Sequence, residues 1–142
     1  MNDEKQQPNI IIRSIILLNS SFTRENEFLQ PLHAQCHFNY EKKINENGNE
    51  GQCVLSANIV FRDSKDENAA NIKCSFIGLF SIQGNQNMSM SEFLEFNAAA
   101  HVLPFIREHV ANLTIKSGIP PLYLPPYNIK ALIEENKESD PI

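Results

Sequence analysis

Histidine residues are the first side chains of this sequence whose spacing raises the question of a metal site. His33 and His37 lie four positions apart in a segment that predicts a β-strand, which separates them by about 13 Å at roughly 3.3 Å per residue. His101 and His109 lie eight positions apart on a predicted helix, again too far for one ion. No CxxC, CxH or helical HxxxH motif occurs. We therefore predict no metal site and no cofactor.

Cys36 is the candidate nucleophile, because the neighbouring His37 could act as its base. Adjacent residues of a strand point to opposite faces, however, and Cys36 shares the phase of the apolar residues, which favours a buried structural thiol. The sequence also lacks a GxSxG motif and a glycine-rich phosphate loop. We predict no catalytic residue. A small enzyme or ligand-binding domain that uses Cys36 or His37 is the rival interpretation.

Length and charge exclude several classes of protein. The 142 residues are enough for one domain with its own core, and we expect a single domain over residues 1–142. Twelve basic against seventeen acidic residues leave a net charge of −5, which disfavours nucleic acid as a partner. No apolar run approaches the ~18 residues of a membrane span. The first residues do not resemble a signal peptide, and the odd number of cysteines, three, fits reduced thiols, so we expect a cytoplasmic protein.

Four segments have the composition and periodicity of β-strands. They are Ile10–Phe22, Leu32–Tyr40, Gln52–Arg62 and Ile72–Gly84. The first is apolar enough to be at least partly covered on both faces, and a charged crossover, Thr23–Gln30, connects it to the second. Asn45–Gly51 predicts a hairpin turn and Asp63–Asn71 a second charged turn. We expect residues 1–9 and 134–142 to be disordered.

A long helix follows the strands. Ser89 and Glu92 have the spacing of a capping box, Gly118 favours a helix end, and Pro104 predicts a kink or a fresh helix start between them. A helix over Ser91–Ser117 would be about 40 Å long, whereas four strands span only about 20 Å. The fold predicted is α+β: a four-stranded antiparallel sheet, a meander with one crossover, then a long helix, a proline-rich connector and a short helix.

Two apolar stripes are predicted on the long helix. The residues expected to face the core are Phe96, Ala99, Leu103, Ile106, Val110 and Leu113. A second set falls near the polar side and is expected to meet another subunit: Leu94, Ala98, Phe105 and Ile115.

Apolar residues also occur in segments that should be loops. Phe28 and Leu29 lie in the crossover, and Leu122, Leu124 and Tyr127 lie in the connector Ile119–Asn128 with its four prolines. A connector stiffened by proline could line a groove for extended apolar polypeptide at low entropic cost. The same residues could instead fill the edge of the core, and the pattern alone does not decide between the two.

Four short motifs resemble those of the SecB export chaperones. They are Gln30–Pro31, GLFSIQG (Gly78–Gly84), VLPFIRE (Val102–Glu108) and GIPPLYLPPYNIKAL (Gly118–Leu132), in the family's order and spacing. The resemblance implies a homotetramer built as a dimer of dimers. It also implies a groove that binds unfolded precursor proteins without ATP.

Together these patterns predict a holdase with defined binding residues. The client groove is expected to contain Phe28, Leu29, Phe38, Leu122, Leu124, Tyr127 and Ile129. No membrane insertion is expected, and whether the oligomer is a dimer or a tetramer stays open. An assembly adaptor that binds one folded partner is a third interpretation.

The sequence also departs from the family. Leu29 stands where the family usually has an aromatic residue, and positions that align with its acidic docking face for the SecA motor hold Asn19, Thr23 and Lys73. Recruitment of SecA is therefore open. The alternative function is that of a SecB-like chaperone dedicated to an antitoxin in a toxin–antitoxin module.

Overall fold

The computed structural model describes residues 9–84 and 88–122. The strands are β1 (Ile10–Arg24), β2 (His33–Ile44), β3 (Glu50–Arg62) and β4 (Asn68–Ile82), and the helices are α1 (Met90–Phe96) and α2 (Ala98–Lys116). The strands form one antiparallel sheet in the order β1-β4-β3-β2. The predicted α+β class is confirmed. No helix among the described residues is long and apolar enough to cross a membrane.

The sheet is a β2-β3-β4 meander with β1 added beyond β4. The crossover of residues 25–32 therefore carries the chain from one edge of the sheet to the other, as predicted. The first hairpin turns at Asn45–Asn49, where Gly48 has φ 73° and the Asn45 side chain accepts a hydrogen bond from the Glu50 amide at 3.1 Å. The second turn is shorter than predicted, because residues 68–71 pair with β1 and β3 as part of β4.

One face of the sheet carries the core. Alternate residues of β3 from Gly51 to Phe61 are buried, while the residues between them are half-buried, which is the pattern of a strand with one covered face. The helix-facing residues of β4 pair with them, as Phe80 does with Gly51 and Gly78 with Cys53. Both helices pack on this face, mainly over β3 and β4.

The predicted single helix is broken at Asn97, not at Pro104. The Ser89 hydroxyl caps α1 by accepting a hydrogen bond from the Glu92 amide at 3.1 Å, as the capping-box spacing indicates. Asn97 ends α1 and precedes α2, with φ −124° and ψ −36°. Pro104 lies inside α2 at an exposed position. At about 100° per residue, the buried residues of a continuous helix would lie on nearly opposite sides before and after Asn97, so the break lets both helices face the sheet.

Because of this break, three residues differ in burial from their prediction. Leu94 and Ala98, which we predicted at a subunit interface, have no exposed surface and belong to the core of the chain itself. Phe96, which we predicted in the core, is 54% exposed. The remaining members of the core stripe behave as expected, since Ala99, Leu103, Ile106 and Val110 are buried and Leu113 packs against them.

The end of α2 is a Schellman motif. Gly118 has φ 71°, and its amide donates to the Ile115 carbonyl at 3.4 Å while the Ile119 amide donates to the Thr114 carbonyl at 3.2 Å. Ile119 is 3% exposed, which gives the hydrophobic contact that accompanies this motif. The helix stop predicted at Gly118 is therefore confirmed. The proposed short helix and most of the connector lie outside the described residues.

Strand β1 differs from its prediction. We expected both faces to be partly covered, but five aliphatic residues are 39–52% exposed: Ile11, Ile12, Ile16, Leu17 and Leu18. The reason is its place at the edge of the sheet, with the helices lying over β3 and β4. Asn9, assigned to the disordered lead-in, accepts a hydrogen bond from the Gln83 amide at 2.9 Å.

Glycine at position 51 permits the close packing of α1 on the sheet. A Cβ atom there would lie 2.6 Å from Met90 Sδ and 3.0 Å from Leu94 Cδ1. We expect Gly51→Val to lower the free energy of unfolding by about 1–3 kcal/mol through overpacking. Urea denaturation measures the change. Gln52→Val, at the next residue but facing away from the helices, should stay near wild type, and equal stability of the two variants would contradict the packing described.

Candidate functional site

The crossover presents one apolar side chain to solvent on a fixed backbone. Leu29 is 49% exposed. Its amide donates to Asp63 Oδ2 at 3.4 Å, and its carbonyl accepts from the Ser64 amide at 3.0 Å. Phe28 is half-buried against the core, with the Arg24 guanidinium 4.7 Å from the centre of its ring. Hydrogen bonds thus hold both the amide and the carbonyl of Leu29, while its side chain is exposed to solvent.

Asp63 organises the turn that holds the crossover. Its Oδ1 accepts hydrogen bonds from the Lys65 amide at 2.9 Å and the Glu67 amide at 3.0 Å. The bond from Glu67 is the largest cause that lowers the pKa of this carboxyl, against the opposing effect of burial. Our sequence reasoning missed this role. The signal was available, because Asp often begins a turn by accepting amide hydrogens two residues on.

Asp63→Asn is expected to loosen the crossover selectively. The amide of asparagine can keep one acceptor oxygen for the turn, but it presents a donor where Leu29 needs an acceptor. The pKa of Asp63 is lowered in the folded protein. Its carboxylate therefore stabilises the fold fully at a pH above the ordinary Asp pKa of about 3.9. This stabilisation is lost as the pH falls through the lower pKa of the folded state. The variant should therefore melt below wild type at neutral pH, and the gap should close in acid.

Differential scanning calorimetry between neutral and acid pH measures that gap. Glu67→Gln is the matched control, because it also replaces a carboxylate by an amide in the same turn, while only its backbone amide bonds Asp63. It should melt near wild type throughout. A gap for Asp63→Asn that persists unchanged in acid would contradict a role for the charged carboxylate.

Of the other residues predicted in the groove, two lie in the described part of the chain. Phe38 is 4% exposed and belongs to the core, so it offers no open contact surface in the chain. Leu122 is half-buried, and its amide donates to Thr114 Oγ1 at 3.1 Å, which ties the start of the connector to the end of α2. Leu124, Tyr127 and Ile129 lie outside the described residues.

Cys36 is poorly suited to be a nucleophile. It is half-buried on the helix-facing side of β2, and burial, followed by the neighbouring Cys74, raises the pKa of its thiol to about 12. The reactive thiolate is therefore scarce at neutral pH. His37 is exposed on the opposite side of β2, where it pairs with Asn58 of β3. The structure does not bring Cys36 and His37 together.

A second exposed apolar surface lies where α2 meets β1. Phe105 is 44% exposed, and its ring centre lies 6.2 Å from that of Phe76. Leu17 pairs with Phe76, and Ile12 with Phe80, so both face the helix side of the sheet. We call Ile12, Leu17 and Phe105 the helix-side patch. Further along α2, Ile115 is 57% exposed.

A polar contact beside this patch joins the helix to the edge strand. His109 Nε2 lies 2.7 Å from Ser20 Oγ, and its ring meets Phe76 edge-on with centroids 5.9 Å apart. This contact was also missed from sequence, because Ser20 and His109 are 89 positions apart and neither carries a motif.

Comparison with known families covers nearly the whole chain. The family of the preprotein translocase subunit SecB matches residues 3–140. The chain belongs to the SecB family. The resemblance seen in the four sequence motifs is thereby confirmed.

Curated SecB proteins match at similar levels. The protein-export protein SecB of Nitrosococcus oceani is 29% identical over 145 aligned positions, which cover 96% of this chain and 87% of that protein. The protein-export protein SecB of Methylococcus capsulatus is 28% identical, with 93% and 88% covered. Among solved structures, the SecB-like chaperone of Mycobacterium tuberculosis in complex with a ChAD peptide from an antitoxin gives a TM-score of 0.70 at 20% identity. The alignment covers 82% of this chain and 88% of the Mycobacterium tuberculosis chain, and the likeness shows that the two share a fold.

The three positions that depart from the SecB docking pattern fall on one face of the sheet. Asn19 pairs with Ser75, Thr23 with Asn71, and Lys73 with Asn58. These pairs alternate with the buried residues that face the helices, so they lie on the side away from the helices. The structure thus places Asn19, Thr23 and Lys73 together on the outer sheet face.

Proposed function

We propose that this member of the SecB family is an ATP-independent holdase of the cytoplasm that binds unfolded or precursor polypeptides for export. The observation that carries the proposal is the outward Leu29 side chain on a crossover whose backbone is held by Asp63 and Ser64. A fixed loop with an exposed apolar side chain gains contact with an extended apolar segment without first having to be ordered. The net charge of −5 helps to keep such a protein soluble.

The proposed binding groove consists of the crossover, the apolar, helix-facing side of β2, and the connector with its short helix. In this proposed groove the Leu29 side chain is exposed, Phe28 and Leu122 are half-buried, and Phe38 belongs to the core. Leu124, Tyr127 and Ile129 complete the proposed set. No nucleotide, metal or other cofactor takes part, and we propose no catalytic role for any residue.

A refolding assay tests this proposal. A denatured, slowly refolding client is diluted into buffer with and without the chaperone and without nucleotide. We expect delayed refolding and suppressed aggregation at stoichiometric amounts. Unaltered refolding and aggregation would overturn the proposal. Unrelated unfolded polypeptides should compete for the site, whereas an adaptor for one folded partner would ignore them.

The proposed assembly is a homotetramer, a dimer of dimers, in which the helix-side patch and Ile115 contact another copy. This placement is supported by the exposure of four apolar side chains, those of Ile12, Leu17, Phe105 and Ile115. The Phe105 ring also contacts the ring of Phe76 in β4. Leu94 and Ala98 are no longer part of the proposed interface, because the chain buries them itself.

A second candidate is a SecB-like chaperone dedicated to an antitoxin. It is favoured by the absence of carboxylates at Asn19, Thr23 and Lys73, since a dedicated chaperone does not require a docking face for SecA. A binding measurement with purified SecA separates the two. Saturable binding would support the export role, while no binding together with tight binding of one antitoxin would support the second candidate.

A further inference from the structure

The outer sheet face, which lies away from the helices, has a continuous apolar stripe. Strand register places Val54 beside Ile77 and Ile77 beside Ile16, and it places Leu79 next along β4 on the same face. The three residues of this stripe that lie on β3 and β4, Val54, Ile77 and Leu79, are half-buried, and Ile16 on β1 is 48% exposed. This face is opposite to the one that carries both helices, so neither helix covers it.

Cationic side chains surround the stripe. Arg13 and Lys43 line an open cavity of about 300 Å³ together with Gln52, Leu79 and the carboxylate-bearing Glu50. Arg13 uses its Nε to donate to Ser81 Oγ at 3.0 Å. Lys43 and Lys73 make no ion pair with any residue in the described part of the chain.

Carboxylates are few on this face although the chain as a whole is acidic. Among the described residues of the sheet that point outward, the carboxylates are Glu41, which pairs with Val54 of the stripe, and Glu50 at the start of β3. The cationic residues of the same face are Arg13, Lys43, Lys73 and Arg62. Among these, only Arg62 lies within 4.0 Å of a carboxylate of the described residues, that of Asp66. A chain with a net charge of −5 thus carries an outer sheet face with more cations than anions.

We propose that the outer sheet face docks an acidic, amphipathic segment of a partner protein. Aliphatic side chains of that segment lie along Val54, Ile77 and Leu79, and its carboxylates pair with Arg13 and Lys43. Arg13 and Lys43 stand on opposite edge strands, three strand spacings or about 14 Å apart, so one segment laid across the strands reaches both. Complementary charge then sets the register of the segment and excludes basic partners.

Nucleic acid fits this face less well. It would gain nothing from the apolar stripe, and the net charge of the remaining molecule would repel its phosphates. The proposal goes beyond holdase function and uses the face opposite to the helices, so the two can be tested separately.

Fluorescence anisotropy with defined probes tests the proposal. The probe is a short labelled peptide of alternating leucine and glutamate, and the reference probe replaces each glutamate by lysine. We expect wild type to prefer the acidic peptide, with affinity that falls as salt rises. Arg13→Glu combined with Lys43→Glu should weaken that binding at least about tenfold. Equal binding of the two peptides by wild type would overturn the proposal.

A matched variant controls for net charge. Lys65→Glu combined with Lys116→Glu makes the same change in charge, but its sites lie in the β3–β4 turn and in the last turn of α2. It should bind the acidic peptide like wild type, and a loss equal to that of the first pair would reduce the effect to overall charge and overturn the proposal. Binding of a thymidine oligonucleotide as tightly as the acidic peptide would also overturn it. The Arg13→Glu, Lys43→Glu variant should retain the delay in client refolding, which keeps this test independent of the proposed holdase function.

Discussion

The Phe105→Glu substitution is expected to shift the protein to a smaller assembly without loss of its secondary structure. Phe105 is 44% exposed in the single chain, so a charge there does not enter the core. Burying such a side chain against another copy contributes about 1.5–3 kcal/mol, and symmetry repeats the contact. Sedimentation velocity at several protein concentrations measures the assembly, and far-ultraviolet circular dichroism monitors the fold.

Two variants bracket that result. Phe96→Glu makes the same change at a residue that is 54% exposed but lies outside the helix-side patch, so it should leave the assembly at its wild-type size. Leu94→Glu should unfold the chain, because this side chain is fully buried. An unchanged assembly in Phe105→Glu would contradict the proposed interface, and a lost circular dichroism signal would mean that Phe105 supports the core.

Leu29→Trp is expected to tighten the binding of aromatic-rich unfolded peptides. Leu29 is 49% exposed on a loop that is held by its backbone, so the larger ring has room and a fixed base. Aromatic pairs contribute roughly 0.5–1.5 kcal/mol beyond their buried area, which is about tenfold in affinity at most. Leu29→Ser removes the apolar contact and should weaken the same binding. Isothermal titration calorimetry measures both changes.

The matched control for this prediction is Leu18→Trp. Leu18 is 52% exposed, but it lies in β1 on the opposite edge of the sheet from β2. It should leave peptide affinity at the wild-type value. Equal affinities for Leu29→Trp, Leu29→Ser and wild type would show that the client binds elsewhere, and the assembly of each variant is checked by sedimentation.

The sheet was predictable because its signals are local. Alternation of apolar and polar residues indicated β2 and β4, the Asn- and Gly-rich run indicated the hairpin after β2, and Gly118 indicated the end of α2. Each of these depends on backbone preferences within a few residues. The position of β1 beyond β4 was partly predicted, since Thr23–Gln30 was recognised as a crossover.

The errors arose where tertiary packing decides. The helix wheel assumed one unbroken helix, so it placed Leu94 and Ala98 on the partner side, and the break at Asn97 turned both into the core. The apolar composition of β1 suggested burial on both faces, but composition does not say which strand lies at an edge. The tie between Asp63 and Leu29 joins residues 34 positions apart, so no local pattern carried it.

Titration of a permanently unfolded client, such as reduced and carboxymethylated lactalbumin, tests the central proposal most directly. The measurement is made by calorimetry in nucleotide-free buffer, with the native, disulfide-intact protein as the comparison. We predict saturable binding of the unfolded form, weakened in Leu29→Ser, and no binding of the native form. Absence of binding by the unfolded form, or equal binding of both forms, would contradict a holdase that recognises unfolded polypeptide.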